Sequence, residues 1–491
     1  MLSRVEDILL RLNVDISYVF SGNCRDTSPV TGEDIASFPI SDANDIHRKI
    51  QNAREAFCEW RMRSPEERRD LIYAFANEIR AHTEELAALI VIETGKIRAD
   101  ALAEVYQTLT ICELAAGMAH RLTGFTAPGE MNDLSVMQTW MPLGVVGIVS
   151  SFNFPLRIWA YNAMMALACG DVVIWRPSRK AALTAYVANH LLQAAAGKAV
   201  KLCPANISQI VVCNHNDATV LAKSAKIDML TATGSPVLAR NLASLTAQRL
   251  GRSVLLLGGN NAAVVTPSAN IDAAVKDIVN STVLDCGQRS TSLQRLFCHS
   301  SVYEKVRDSI LKRIDALVID SPLESTAEVG PMIDNRGYDL MRYAIEQAAA
   351  ENAVVHGGER LTVGSYENAY YVRPALIEMK DQTNIMKTDL LAPVLFMMPY
   401  DDIEEAVTLT NAFPNTLISC IFSNDLREFN RFTGIKGTTS GVAAVNTGTV
   451  NYDMIALSCG EQGGKGFAKD IWQTFMSART TFLNNKDDIS S

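Results

Sequence analysis

From about residue 136 onward the chain alternates short β-rich runs with amphipathic helical stretches, and this alternation limits the fold more than any other feature. Strands are expected at 145–149, 171–175, 208–213, 227–230 and 253–257, with helices between them at about 181–196 and from Ser235 onward. A second set follows at 294–298, 353–356, 370–377 and 417–423, with a helix from Val302. Strand–helix–strand succession builds parallel sheets, because each crossover helix returns the chain to the same end of the sheet. The expected class is α/β, with two doubly wound parallel-sheet domains, no tandem repeat and no low-complexity linker.

Ahead of these units, the first hundred or so residues read as mostly helical and must pack on the first sheet. Ser64-Pro65-Glu66-Glu67 combines a serine cap, a proline at the first helical position and a glutamate placed for a capping box. Leu71, Ile72, Phe75, Ala76 and Ile79 then recur at helical spacing. A second helix runs from Thr83 toward Gly95, a residue suited to end it.

Composition narrows the function. The chain has 491 residues, room for about three domains, and its 48% hydrophobic content excludes a disordered or fibrous protein. With 45 basic and 54 acidic residues the formal charge is −9, and no basic block stands out, so neither nucleic acid nor a membrane surface is an expected partner. Ten cysteines are scattered without a CxxC pair, which reads as reduced core thiols in a cytoplasmic protein, with no metal site. The opening MLSRVEDILLRLNVDIS reads as an amphipathic helix, not a signal peptide, and no apolar run is long enough to span a membrane.

Seven motifs stand in one order. They are Pro142-Leu143-Gly144-Val145 leading to Ser151-Phe152-Asn153-Phe154-Pro155, Trp175-Arg176-Pro177-Ser178, Thr233-Gly234-Ser235, Leu256-Leu257-Gly258-Gly259-Asn260-Asn261, Gly287-Gln288-Arg289-Ser290, Asp389-Leu390-Leu391-Ala392-Pro393 and Asn446. Together they resemble the NAD(P)-dependent aldehyde dehydrogenase superfamily from about residue 20 onward, with spellings most like its α-aminoadipic semialdehyde dehydrogenase (antiquitin) branch. The resemblance implies a Rossmann-like cofactor domain (1–122 and 143–255), a catalytic domain (256–445) and a small β oligomerisation element (123–142 and 474–491). A return segment at 446–473 leads back to the cofactor domain.

In that family a cysteine thiolate attacks the aldehyde, an asparagine amide helps hold the oxyanion, and a glutamate activates the water that releases the acid. The resemblance puts Ser290 at the nucleophile position, Leu256 at the general-base position and Asn153 at the oxyanion position. A serine hydroxyl needs an adjacent base to attack, and a leucine cannot take a proton. Cys286, four residues upstream of Ser290, substitutes for the thiol only if that stretch is helical; otherwise it is a small core residue. Two readings follow. One is oxidation of a small (semi)aldehyde to the acid. The alternative is an impaired or inactive pseudoenzyme that keeps the fold, the oligomer and nucleotide binding. A serine hydrolase is disfavoured, since the seven histidines are scattered and the nearest, His299, lies beyond the next strand.

The cofactor positions implied by the resemblance are Ser151, Phe152, Arg176, Ser178, Arg179, Gly234, Ser235, Gly258, Asp389 and Leu391. Arg176 stands for a family lysine and Arg179 for a family glutamate that receives the ribose 2′-hydroxyl. Arginine there suits a 2′-phosphate, which favours NADP over NAD. Gly234-Ser235 opens a helix whose free N–H groups face the pyrophosphate. Gly258 lets the backbone come close, Asp389 shortens a family glutamate by one methylene, and Leu391 replaces an aromatic ring. The strand near 477–483 resembles the family's oligomerisation strand, so a homodimer or homotetramer is expected.

Overall fold

The computed structural model describes residues 1–484 apart from Asn132, Leu202, Ser325, Pro414, Asn415 and 451–470, so most of the expected return segment lies outside the described residues. The first sheet has five parallel strands in the order Ser208–Ile210, Val172–Arg176, Val145–Val149, Met229–Gly234 and Arg252–Leu257. The first strand in sequence therefore sits in the middle and the order reverses beside it. Such a reversal leaves a crevice at the carboxyl ends of the two central strands. Those ends are Val149, leading into Ser151-Phe152-Asn153, and Gly234, leading into Ser235.

The second sheet has seven strands, ordered Val354–His356, Ala375–Glu378, Val394–Tyr400, Leu293–His299, Asn261–Val265, Ile418–Phe422 and Val442–Val445. All pairings are parallel except the edge strand Val354–His356. The run expected at 370–377 is instead two strands, Tyr371–Val372 and Ala375–Glu378. Pro374 between them has no N–H to give a ladder. Arg252–Leu257 pairs along its length with Met229–Gly234, so the expected division at 255/256 falls inside a strand of the first sheet.

Each sheet has its own apolar core, and the N-terminal helices belong to the first. Phe75 meets Trp159 edge-on at 5.6 Å, and Trp159 stacks on Trp175 of the sheet at 4.6 Å. The capping box forms: Ser64 Oγ accepts from the Glu67 N–H at 3.2 Å, and Glu67 accepts from the Ser64 N–H at 2.8 Å. Thr83–Thr94 ends at Gly95, whose φ of 75° is left-handed. The mostly helical reading of this region missed an antiparallel hairpin, Cys24–Thr27 with Asp34–Phe38. Its first strand buries Asp26 beside Cys24, so no apolar alternation announces it.

A third, antiparallel sheet joins Met476–Asn484 to Leu134–Pro142 and Phe125–Pro128. Met476–Asn484 is an edge strand with Phe482 and Leu483 exposed. Among the described residues no helix is long and apolar enough to cross a membrane.

Candidate functional site

The carboxyl ends of the first sheet face the loops that enter the second, and between them lies a cavity of about 550 Å³. Of the thirteen site residues expected from sequence, twelve line it: Ser151, Phe152, Asn153, Arg176, Ser178, Gly234, Ser235, Leu256, Gly258, Ser290, Asp389 and Leu391. Arg179 does not. It is exposed, and its Nη1 donates to Asn214 Oδ1 at 3.3 Å. The turn Arg179–Ala181 has three residues per revolution, so adjacent side chains point about 120° apart. Lys180, one residue on, is the cation that faces the cavity.

Ser290 and Leu256 are half-buried on the cavity wall. Among the described residues no cysteine, histidine or glutamate lines it, and its only carboxylates are Asp334 and Asp389. The stretch carrying Cys286 is not helical: Asp285 and Cys286 have φ of 52° and 54°, in the left-handed region. Cys286 is 1% exposed, off the cavity wall, and burial pushes its thiol pKa well up, away from the reactive thiolate. It is a core residue.

Asn153 is 7% exposed and already engaged on both sides of its amide. Its Nδ2 donates to the Gln288 carbonyl at 2.9 Å, and its Oδ1 accepts from Ser151 Oγ at 2.6 Å. The Gln288 side chain in turn accepts from the Ile333 N–H at 2.9 Å and donates to the Asp285 carbonyl at 3.0 Å. The loop before Ser290 is thus pinned to both domains.

Beneath this loop lies a buried charge cluster that sequence reasoning missed. Lys96 Nζ sits 2.7 Å from Glu104 Oε2, 3.6 Å from Asp285 Oδ2 and 3.7 Å from the centre of the Phe154 ring. Glu104 Oε1 accepts from the N–H groups of Leu156 and Arg157 at 3.0 and 3.1 Å, holding the turn after Asn153. Arg289 reaches back 2.6 Å to Asp285 and 3.5 Å to Asp100. Burial and the neighbouring Asp285 push the Asp100 carboxyl up to about 7, while Arg289 and Lys96 hold Asp285 below its ordinary value despite its burial. Of these two neighbouring carboxyls, Asp100 is the one that takes up a proton first as pH falls.

Gly258 and Asp389 meet at the cavity wall. A Cβ on Gly258 would fall 1.8 Å from Asp389 Oδ2, so only glycine admits the carboxylate in this position. Asp389 accepts from Gln294 Nε2 at 3.4 Å, and burial pushes its carboxyl up to about 7. Leu256, Leu257, Leu340 and Leu391 make this part of the lining apolar.

The opposite lining is cationic and rich in hydrogen-bond donors. Ser235 caps Pro236–Gln248 and accepts from the Leu238 N–H at 3.4 Å. Arg176 is 4% exposed; one guanidinium nitrogen donates to the Cys213 carbonyl at 3.4 Å, while its Nε has no hydrogen-bond partner among the described residues. A buried, under-partnered guanidinium lining the same cavity as a helix N-terminus fits a phosphate-bearing nucleotide. Among the described residues no group of three His, Cys, Asp or Glu side chains is placed to hold a metal.

Comparison with known proteins agrees with this geometry. The family model described as "Aldehyde dehydrogenase family" matches residues 20–475. A relative from Malus domestica, aldehyde dehydrogenase family 7 member A1, is 28% identical over 462 residues, covering 93% of this chain and 90% of its own. The α-aminoadipic semialdehyde dehydrogenase of Bos taurus is 27% identical, covering 94% and 85%. Among solved structures, an NAD+ complex of betaine aldehyde dehydrogenase from Staphylococcus aureus superposes with a TM-score of 0.89 at 21% identity, covering 95% and 94%. A 3,6-anhydro-L-galactose dehydrogenase bound to NADP gives 0.89 at 24% identity, covering 94% and 96%.

Proposed function

Because the chain belongs to the aldehyde dehydrogenase family, we propose that its cavity takes the family's ligand pair, a nicotinamide dinucleotide and a small aldehyde, but is impaired in the covalent chemistry that joins them. Family membership supports NAD(P)-dependent aldehyde oxidation as the reaction of this site. The relatives' names point to a semialdehyde derived from an amino acid. Arg176, Ser178, Ser235 and Lys180 would hold the dinucleotide, which when bound supplies a hydride acceptor. Asn153 Nδ2 gives one hydrogen to the Gln288 carbonyl and would present its second to the aldehyde oxygen.

One observation carries the impairment: Ser290 and Leu256 face the same cavity as Asn153, and no described cysteine, histidine or glutamate lines it. Addition to a carbonyl needs a nucleophile that can shed its proton, and hydrolysis of an acyl intermediate needs a base for water. Among the described residues, the Ser290 hydroxyl has neither a histidine nor a glutamate on the cavity wall to meet either requirement. Calorimetric titration with NADH and NADPH, beside a panel of small aldehydes assayed with both oxidised cofactors, tests the proposal. Binding without turnover is the expected result. Turnover by the unmodified chain at rates ordinary for the family returns the site to the active reading.

The exposed edge strand Met476–Asn484 supports a homodimer or homotetramer, since an unpaired apolar edge invites a second copy. The nine described cysteines are all free, which supports a reducing, cytoplasmic setting.

A further inference from the structure

Lys180 and Asp334 join the two walls of the cavity. Lys180 lies in the turn after Val172–Arg176 of the first sheet, and Asp334 caps the helix Asn335–Ala350, whose Met341, Ala344 and Ala348 are buried in the second core. The Lys180 ammonium stands 2.5 Å from Asp334 Oδ2 and 5.3 Å from the centre of the Phe152 ring. Both residues line the cavity, so their ion pair crosses it. Asp334 does not depend on the lysine for its capping role, because its Oδ1 accepts from the Gly337 N–H at 3.0 Å.

We propose that Lys180 is the residue that captures a phosphate of the nucleotide, and that Asp334 holds its ammonium until the nucleotide enters. This rests on the nucleotide-binding reading above. The pair's side chains are 39% and 29% exposed, a setting in which an ion pair is weak and readily exchanged. A phosphate offers the ammonium more oxygens and at least as much negative charge as the carboxylate it replaces. Buried Arg176, with its Nε unpartnered among the described residues, lines the same cavity, so a displaced ammonium finds a second cation ready to share the anion. Arg179, the residue that sequence alone nominates for this task, faces outward onto Asn214. The diphosphate and a ribose 2′-phosphate present the same chemistry to Lys180, and comparing NADH with NADPH separates them.

The experiment is calorimetric titration of the full chain with NADH and NADPH, using wild type, Lys180→Met, Asp334→Asn and Arg179→Ala, each checked for a native circular dichroism spectrum. Lys180→Met is expected to weaken binding about tenfold, the equivalent of one lost charge contact. Asp334→Asn keeps a capping acceptor for Gly337 yet frees the ammonium, and is expected to tighten binding about threefold. Arg179→Ala should bind as wild type. An equal loss for both dinucleotides in Lys180→Met assigns the diphosphate; a larger loss for NADPH assigns the 2′-phosphate. Wild-type affinity in Lys180→Met, or no tightening in Asp334→Asn, overturns the capture role while leaving the nucleotide site standing. A wild-type chain that binds neither dinucleotide overturns both.

Discussion

The side-chain amide of Asn153 donates to the backbone carbonyl of Gln288 at 2.9 Å, two residues before Ser290. The group that the family resemblance assigns to a developing oxyanion therefore acts here as a brace between the first sheet and the Ser290 loop. Its carbonyl oxygen is also taken, by Ser151 Oγ at 2.6 Å. Asn153→Ala removes both bonds at a position only 7% exposed and leaves the Gln288 carbonyl without this donor. The expected cost is about 1–3 kcal/mol of unfolding free energy. Urea denaturation measures it, and an unchanged midpoint with unchanged slope would show that the brace contributes nothing.

On the proposed reading, two changes restore the chemistry. Ser290→Cys supplies a thiol whose sulfur adds to the aldehyde carbon while its proton passes to the carbonyl oxygen; a bound oxidised cofactor would supply the hydride acceptor, and the product left on the chain would be a thioester. With Leu256 in place, the general-base position has no group to activate the water that would cleave it. The single variant should give a burst of about one reduced cofactor per chain and then stop. Adding Leu256→Glu should convert the burst to steady turnover. Stopped-flow absorbance separates the two, and a linear trace from the single variant would mean that another group activates water.

The strand–helix alternation and the ordered motifs made both sheets and twelve wall residues legible, because each motif is contiguous and sits where a strand ends. Other features were not legible, for definite reasons. Asn261–Val265 and Val394–Tyr400 are central strands buried on both faces, so they lack alternation. Arg179 and Lys180 are adjacent, and only the handedness of a short turn decides which one faces the cavity. Asp100 meets Asp285, and Lys180 meets Asp334, through tertiary folding alone; neither partner marks the other in the sequence.

The raised Asp100 carboxyl beside Asp285 makes stability depend on pH. The folded Asp100 carboxyl is raised to about 7 from an ordinary value of 3.8, so between those values the folded chain holds a proton that the unfolded chain has released. Stability from this group is full below the lower value and is lost as pH rises through the window. Lys96, Arg289, Glu104 and Asp285 surround the site. Asp100→Asn, whose amide donates to Asp285 at every pH, should flatten the decline by about 1.4 kcal/mol per pH unit, one proton's worth. Denaturation midpoints at pH 5, 6 and 7 test it, and parallel curves for variant and wild type would refute the raised Asp100 carboxyl.

Gly258 and Asp389 should be energetically coupled, since one residue's missing side chain is the other's space. The nearest atom to a Cβ on Gly258 is Asp389 Oδ2 at 1.8 Å, followed by its Cγ at 3.0 Å, so the clash is with this one side chain. Gly258→Ala must push the carboxylate off Gln294 and should cost about 1–3 kcal/mol. Asp389→Ala removes a group that burial keeps from ionising freely, and should cost less than that at pH 8. In the double variant the new methyl enters the vacated space, so the two effects should fail to add by about 1 kcal/mol or more. Additivity within a few tenths of a kcal/mol would mean that the loop carrying Asp389 moves away at no cost. In that event the carboxylate would be free to turn into the cavity and meet a ribose hydroxyl.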